Sequence, residues 1–268
     1  MAIPMLSLEI ECTPEQKDLL IAELWEEGSA GVVELDSGRL RAFFEDDADR
    51  EALARRFRPV SWRQEEERDW VALSRANWEP LLVGERFFLV PEWRNDPAPE
   101  GRFRIVVNPG MAFGTGVHET TQLCMEALEK HVRPGLSVLD VGTGSGILAR
   151  ASALLGAAPV WACDTDPVAV GIARSNAGPN IFTGSVDAIR SGCAGIIDAN
   201  ISPEAISHLG PEIFRCLRPG GIALLSGFER HETAAVRAAL EKHGEVREVR
   251  HKNNWALLEA IRKPGPPE

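Results

Sequence analysis

The sequence predicts an α/β protein in two parts: a small α+β module of ferredoxin-like order, then a doubly wound, mostly parallel sheet. Three observations carry that expectation. Residues 1–63 read as two β-α-β units, with apolar residues alternating along the strands. From about residue 118 onward, strand-like and helix-like segments alternate, which is the pattern of a parallel sheet with crossover helices. The charge is also divided: residues 1–100 hold 23 acidic and 12 basic side chains, whereas residues 101–268 hold 17 of each.

In order, Leu6-Ser7-Leu8-Glu9-Ile10-Glu11 alternates as a half-buried strand. Thr13-Pro14-Glu15 opens a helix with Thr13 as N-cap, and Gly28 ends it. Two strands follow around the turn tripeptide Asp36-Ser37-Gly38. A helix over 46–57 and a strand from Pro59 complete βαββαβ. Residues 64–80, with Trp70, Leu73 and Trp78 as an apolar stripe, read as a linker helix that Pro80 stops. A second domain is expected over 81–263. It opens with strands at Arg86–Pro91 and Arg102–Val107 and a helix that runs to His131. Strands then end at Val141, Asp164, Ala199 and Ser226, with helices starting at Ser145, Pro167, Pro203 and Glu229, and last strands lie near Val246 and Trp255.

Bulk properties narrow the function. A content of 44% hydrophobic and 26% charged residues is ordinary for a globular protein. No apolar run approaches the roughly 20 residues of a membrane span. The first residues lack a basic and then apolar leader, and the five scattered cysteines form no CxxC pair, so a reducing cytoplasm and no metal site are expected. The acidic first part is either a solvated surface or a dock for something basic. Direct nucleic-acid binding is not expected there, because it rests on clustered Lys and Arg.

The stretch Val138-Leu139-Asp140-Val141-Gly142-Thr143-Gly144-Ser145-Gly146-Ile147 is a strand, a glycine turn and a helix start. Such glycines let the backbone approach a ligand, and the helix N-terminus offers N–H groups. Two cofactor classes use such a turn. A dinucleotide fingerprint needs a third glycine where Ile147 stands, with pyrophosphate on the helix N-terminus. An acidic Asp140 before the turn instead suits the cationic methionine end of S-adenosylmethionine. Asp164, at the next strand's end, can accept both hydroxyls of a ribose in either class. Asp166 reads as a helix N-cap, and Asp187 as either a contact to adenine or a solvated carboxylate.

Two further stretches are unusual. Residues 108–121 combine turn formers with Phe113, Gly114, His118 and paired Thr120-Thr121 just before a helix, a composition that commonly lines ligand sites. Ala199-Asn200-Ile201-Ser202-Pro203 lies at a strand's carboxyl end, where open α/β sheets bind ligands. Asn200 there can point its carbonyl at a donor amine, or cap the following helix.

Together these stretches resemble the ribosomal-protein L-eleven methyltransferase family. PGMAFGTGVHETT looks like that family's signature, and LDVGTGSGILA, CDTDPVAV and ANI follow in matching order. The N-terminal module and the DW…NWEP segment match as well. The resemblance implies a class I methyltransferase domain and an N-terminal domain that recognises the ribosomal protein. The implied reaction methylates lysine ε-amines and the N-terminal α-amine of that large-subunit protein. Carried over, Thr121, Gly142, Asp164 and Asn200 would contact S-adenosylmethionine, with Phe113, Gly114 and His118 lining the reaction pocket. Asp140 and Gly144 join the expected cofactor set from the glycine turn, and His118 and Asn200 are the expected catalytic pair. Three positions depart from the pattern: Asp198 replaces an apolar residue, Ser202-Pro203 follows Asn200, and the 176–180 segment is short. A methyltransferase for another protein, such as an electron-transfer flavoprotein subunit, would share every cofactor motif, and a nucleotide-dependent oxidoreductase is the alternative of another class.

Overall fold

The computed structural model describes residues 5–13, 16, 20–21, 23–24, 27–29, 31–35, 38–45, 48–58, 61–65, 79–107, 118–178 and 180–263. The chain divides into two compact units, Met1–Trp78 and Glu79–Glu268. The first holds strands β1 (Met5–Glu11), β2 (Gly31–Leu35), β3 (Arg39–Glu45) and β4 (Ser61–Glu65). They form one antiparallel sheet in the order β2-β3-β1-β4, the ferredoxin-like arrangement. Helix α1 (Arg50–Phe57) joins β3 to β4, capped by the Asp49 carboxylate, which accepts from the Glu51 and Ala52 amides at 3.0 Å each. Between β1 and β2, residues 20–21 and 23–24 are helical, and the Thr13 amide donates to Gln16 Oε1 at 3.3 Å, half of a capping box.

Strand alternation sorts this unit's residues by face. Leu8, Ile10, Leu40, Ala42 and Phe44 turn inward onto Leu24, Leu53 and Phe57, the leucine, isoleucine and phenylalanine side chains each worth roughly 1.5–3 kcal/mol when buried. The opposite face buries Glu9 beneath Arg39, Arg41 and Arg63. The Arg41 hydrogen bond, helped by all three positive charges, holds that carboxyl below its usual range against the cost of burial. Glu9 is therefore compensated rather than available to a basic partner.

The second unit opens with a three-stranded sheet of β5 (Leu81–Val83), β6 (Phe87–Pro91) and β7 (Phe103–Val107). Its turn at 84–86 sits on helix α2 (Glu119–His131), where the Glu129 carboxylate accepts from the Glu85 and Arg86 amides at 3.0 and 2.6 Å. The main sheet holds β8 (Val138–Val141), β9 (Val160–Asp164), β10 (Ile181–Thr183), β11 (Ala194–Asn200), β12 (Leu217–Glu229), β13 (Gly244–Lys252) and β14 (Trp255–Arg262). Their order is β10-β9-β8-β11-β12-β14-β13, parallel from β10 to β12, with β14 reversed between β12 and β13. The chain therefore winds outward from β8 through β9 to β10 and in the other direction from β11. A crevice must open at the carboxyl ends of β8 and β11, the topological switch point.

The crossover helices are α3 (Ile147–Leu154), α4 (Pro167–Ala177), α5 (Pro203–Cys216) and α6 (Thr233–Leu240). Leu139, Val141, Ile197, Ala199, Ala223 and Leu225 pack with Ile206, Ile213 and Phe214 of α5 and Val236 and Leu240 of α6. The alternate residues, Asp140, Asp198, Asn200 and Leu224 among them, leave the other face, where α2 contributes Thr121 against Asn200 and His131 against Glu259.

Four elements differ from the sequence expectation. Helix α3 starts at Ile147 rather than Ser145, because Gly144 and Gly146 take φ of +53° and +81°, which no helical turn accommodates. Strand β12 reaches back through Pro219-Gly220-Gly221 to Leu217, absorbing the irregularity as a register shift against Ala194 and Ile196. A 3₁₀ turn at Arg230–Glu232 precedes α6, and β5 carries too few residues to leave a pattern. The linker helix expected over 64–80 falls mostly on 66–78, outside the described residues. Among the described residues, no helix is long and apolar enough to cross a membrane.

Candidate active site

A cleft of about 300 Å³ opens at the switch point. The glycine turn after β8 forms its floor, with Gly142, Thr143 and Gly144 in its lining. Asp164 and Thr165 after β9 form one wall, and Gly184 and Ser185 after β10 extend it. Thr121 of α2, Asn200 and Ile201 after β11, and Ala205 and Leu209 of α5 form the other. The structure thus brings Thr121, Gly142, Gly144, Asp164 and Asn200 together from four separate segments of the sequence.

The turn has its shape for identifiable reasons. Gly142 takes φ +72°, and a Cβ there would lie 2.3 Å from Ile201 Cγ2. From β12, Gly227 approaches the same residue, where a Cβ would lie 2.1 Å from the Ile201 carbonyl oxygen. Ile201 is therefore gripped between two side-chain-free positions on two strands, and its amide is bonded to the Ser226 carbonyl at 3.1 Å. Gly227, Ile201, Thr165, Ser185, Ala205 and Leu209 were not among the expected site residues. Of these, Thr165, Ser185 and Ile201 follow strand ends, whereas Ala205 and Leu209 lie on α5 and Gly227 lies within β12.

The amides of the turn are largely committed. Those of Gly142 and Thr143 donate to the Cys163 carbonyl at 2.9 and 3.0 Å, and that of Gly146 donates to the Thr143 carbonyl at 2.9 Å. The Gly144 amide donates to Asp164 Oδ2 at 2.9 Å, and the Asp166 amide to Asp164 Oδ1 at 3.0 Å. Asp164 is thereby fixed at the rim with lone pairs remaining, as a neighbouring diol requires. Asn200 Nδ2 donates to Thr121 Oγ1 at 3.3 Å, which leaves Oδ1 as the acceptor for a ligand amine.

Asp140, expected at the cationic end of the ligand, is not among the lining residues of the cleft. It lies beneath the turn, 1% exposed, where Oδ2 accepts from the Thr143 hydroxyl at 2.6 Å and the Ala149 amide at 3.1 Å. Burial pushes its carboxyl up to about 6, against the pull of those two donors and with a further push from the Asp164 charge. Its contribution is to tie the turn to the first turn of α3.

His118 is also not among the lining residues of the cleft. It is the N-cap of α2: Nδ1 lies 2.7 Å from Thr120 Oγ1 and 3.4 Å from the Thr120 amide, which donates to it. Its ring stands edge-on to Trp255 with centroids 4.6 Å apart. Phe113 and Gly114 lie outside the described residues. Asp187 is exposed and outside the cleft lining, whereas Ser185 lines it.

This lining tests the two cofactor classes. Among the described residues it contains no Lys, Arg or His, and the carboxylate there is Asp164. A pyrophosphate would meet a negative charge and a turn whose amides are mostly spent, whereas a nucleoside with a cationic sulfonium tail meets a diol acceptor and no positive charge. The residues fit S-adenosylmethionine. Sheet order, reversed β14 and this cleft define a class I methyltransferase domain.

The family profile described as ribosomal protein L11 methyltransferase (PrmA) matches residues 46–263. The chain belongs to that family. It is 46% identical over 187 residues to a ribosomal protein L11 methyltransferase of Symbiobacterium thermophilum, an alignment covering 68% of this chain and 62% of that one. Its counterpart in Pelotomaculum thermopropionicum is 41% identical over 209 residues, covering 75% of this chain and 68% of the relative. The matches thus span about two thirds of the relatives' length. The crystal structure of a ribosomal protein L11 methylase from Lactobacillus delbrueckii subsp. bulgaricus superposes with a TM-score of 0.64 at 31% identity, covering 69% of this chain and all of that one.

Proposed function

We propose that this protein transfers methyl groups from S-adenosylmethionine to lysine ε-amines and the N-terminal α-amine of a large-subunit ribosomal protein. The observation that carries the reading is the cleft itself: a diol acceptor at Asp164, a turn with its amides largely committed, and no positive side chain among the described lining residues. The names of the relatives supply the substrate. We place the reaction in the cytoplasm.

When bound, S-adenosylmethionine supplies an electrophilic methyl group on its sulfonium. The protein's part is to hold and to orient. Asp164 and the glycine turn fix the nucleoside, and Asn200 Oδ1, aimed by Thr121, accepts a hydrogen bond from the incoming amine. A lysine amine is mostly protonated at neutral pH, its ordinary pKa being about 10.4, and must shed a proton before attack. Entry of the amine into a low-dielectric site favours its neutral form, and positioning supplies much of the acceleration. Phe113 and Gly114 belong to the reaction pocket on the strength of the family signature.

His118 acts as a cap that orders the start of α2. Nδ1 is engaged by the Thr120 amide and lies 2.7 Å from the Thr120 hydroxyl, so this ring nitrogen is part of the cap. His118→Ala is expected to keep donor affinity and lower turnover roughly tenfold, while His118→Asn restores most of it because Asn caps helices well. Equal loss in both variants would instead make His118 the base.

The first unit is the dock for the protein substrate. Residues 1–78 carry 18 acidic and 10 basic side chains, a net of −8, against −3 for residues 79–268. A basic ribosomal protein complements that charge, whereas nucleic acid is repelled by it. Tandem mass spectrometry of the product tests the amine assignment: methyl groups on lysines and the N-terminus support it, and methyl groups on other side chains overturn it.

A further inference from the structure

Asp198 stands on β11 two residues before Asn200, 0% exposed, and neither carboxylate oxygen has a hydrogen-bond partner among the described residues. Strand register places it directly opposite Asp140 on β8. The two side chains leave the same face of the sheet, about one strand spacing or 4.8 Å apart at the backbone. Asp140 commits Oδ2 to Thr143 and Ala149, while its Oδ1 is also buried without a partner. From α2, the other titratable group facing Asp198 is the buried Cys124 thiol. From β12, Leu224 is its register partner. The next charged group along the row, Glu259 on β14, lies beyond Leu224 and is engaged by His131 and Arg250.

Two carboxylates this close, away from water and without a cation between them, do not both ionise. Asp140 has two donors that stabilise its charge, whereas the donor facing Asp198 among the described residues is the Cys124 thiol, a weak one, so the proton resides on Asp198. Burial pushes the Asp198 carboxyl well above the usual carboxylate range, and the Asp140 charge pushes it further.

We infer that Asp198 is a positioning residue for the donor site: a neutral acid whose proton, held toward the free oxygen of Asp140, joins the strand bearing Asn200 to the strand bearing the glycine turn. The inference rests on the cleft's reading as a methyl-donor site. These two strand ends supply Gly142 in the floor and Asn200 in one wall of the cleft, so loosening the link moves floor and wall relative to each other. Ionisation at alkaline pH sets the two carboxylates in repulsion and weakens donor binding. An amide at position 198 keeps an N–H donor at every pH.

The test compares the full-length protein with Asp198→Asn and Asp198→Leu, using calorimetric titration with S-adenosylhomocysteine and infrared spectra of the same samples. In the wild type, affinity is expected to fall about tenfold or more as the pH is raised from neutral into the alkaline range. Asp198→Asn flattens that dependence and stays within about threefold of the neutral-pH affinity, whereas Asp198→Leu binds about tenfold more weakly throughout. The carbonyl stretch of a protonated carboxylic acid is expected in the wild type at neutral pH and absent from Asp198→Asn. Identical pH profiles in the wild type and Asp198→Asn, or no infrared difference between them, would overturn the inference. If no variant, nor the wild type, binds S-adenosylhomocysteine, the donor-site reading fails and the positioning role with it, while the infrared band still reports where the proton resides.

Discussion

Gly142→Ala is expected to reduce affinity for the methyl donor by about a hundredfold or more, with the fold retained. Two costs combine. An L-residue at φ +72° carries roughly 1–2 kcal/mol of backbone strain. The new methyl would lie 2.3 Å from Ile201 Cγ2, an overlap that costs roughly 1–3 kcal/mol to relieve. Ile201 cannot retreat cheaply, because Gly227 closes on its carbonyl from the other side. Relief therefore displaces the turn into the cleft, where the ligand lies. The control is Gly171→Ala in α4, where a Cβ meets nothing within 4 Å and Ala is the better helix former by about 1 kcal/mol. That variant should bind as the wild type does and melt slightly higher. Equal donor affinity in Gly142→Ala and the wild type, read by calorimetric titration, would remove the turn from the site.

Asp164→Ala is expected to weaken donor binding by roughly tenfold to several hundredfold, since hydrogen bonds to a charged group are worth about 1.5–3 kcal/mol each. The loss has two origins, which Asp164→Asn separates. The carboxylate aims the Gly144 amide from one oxygen and the Asp166 amide from the other, so removing it loosens the turn even before a ligand arrives. It also removes the charged acceptor that a ribose diol requires. The Asn variant keeps one acceptor and loses the charge, and should fall between the two. Unchanged affinity in Asp164→Ala would show that the nucleoside lies elsewhere.

How legible the site was depended on whether its cause was local. Gly142, Gly144 and Asp164 could be read because a strand, a glycine turn and an acidic strand end are each defined by neighbours in the chain. Thr121 and Asn200 came from a composition suited to ligand loops and from the family signature, but their mutual hydrogen bond needed α2 to lie over β11. Asp140 stands out in the sequence as an acid just before the glycine turn, expected at the cationic end of the ligand, and the structure places it buried beneath the turn. Whether it faces the ligand or braces the backbone is decided by the Ala149 amide, nine residues further on, and by the start of α3 two residues later than expected. Gly227 lies within β12 and Ile201 directly follows β11, and only the parallel register of β11 and β12 places them in contact. Asp198 was visible as a departure from an apolar position. Its partner was not, because register between β8 and β11 leaves no trace in either segment alone. At the level of the fold, periodicity and turn residues sufficed for both sheets, while the three-residue β5 and the glycine-proline stretch inside β12 were set by tertiary pairing.

The most direct test of the central claim is the intact mass of the large-subunit ribosomal protein after incubation with this protein and S-adenosylmethionine. The account predicts mass increases in steps of one methyl group, and their absence when Gly142→Ala replaces the wild type. An unchanged mass, in a sample where the wild type demonstrably binds the methyl donor, would contradict the assigned substrate and leave a methyltransferase whose target is a different protein.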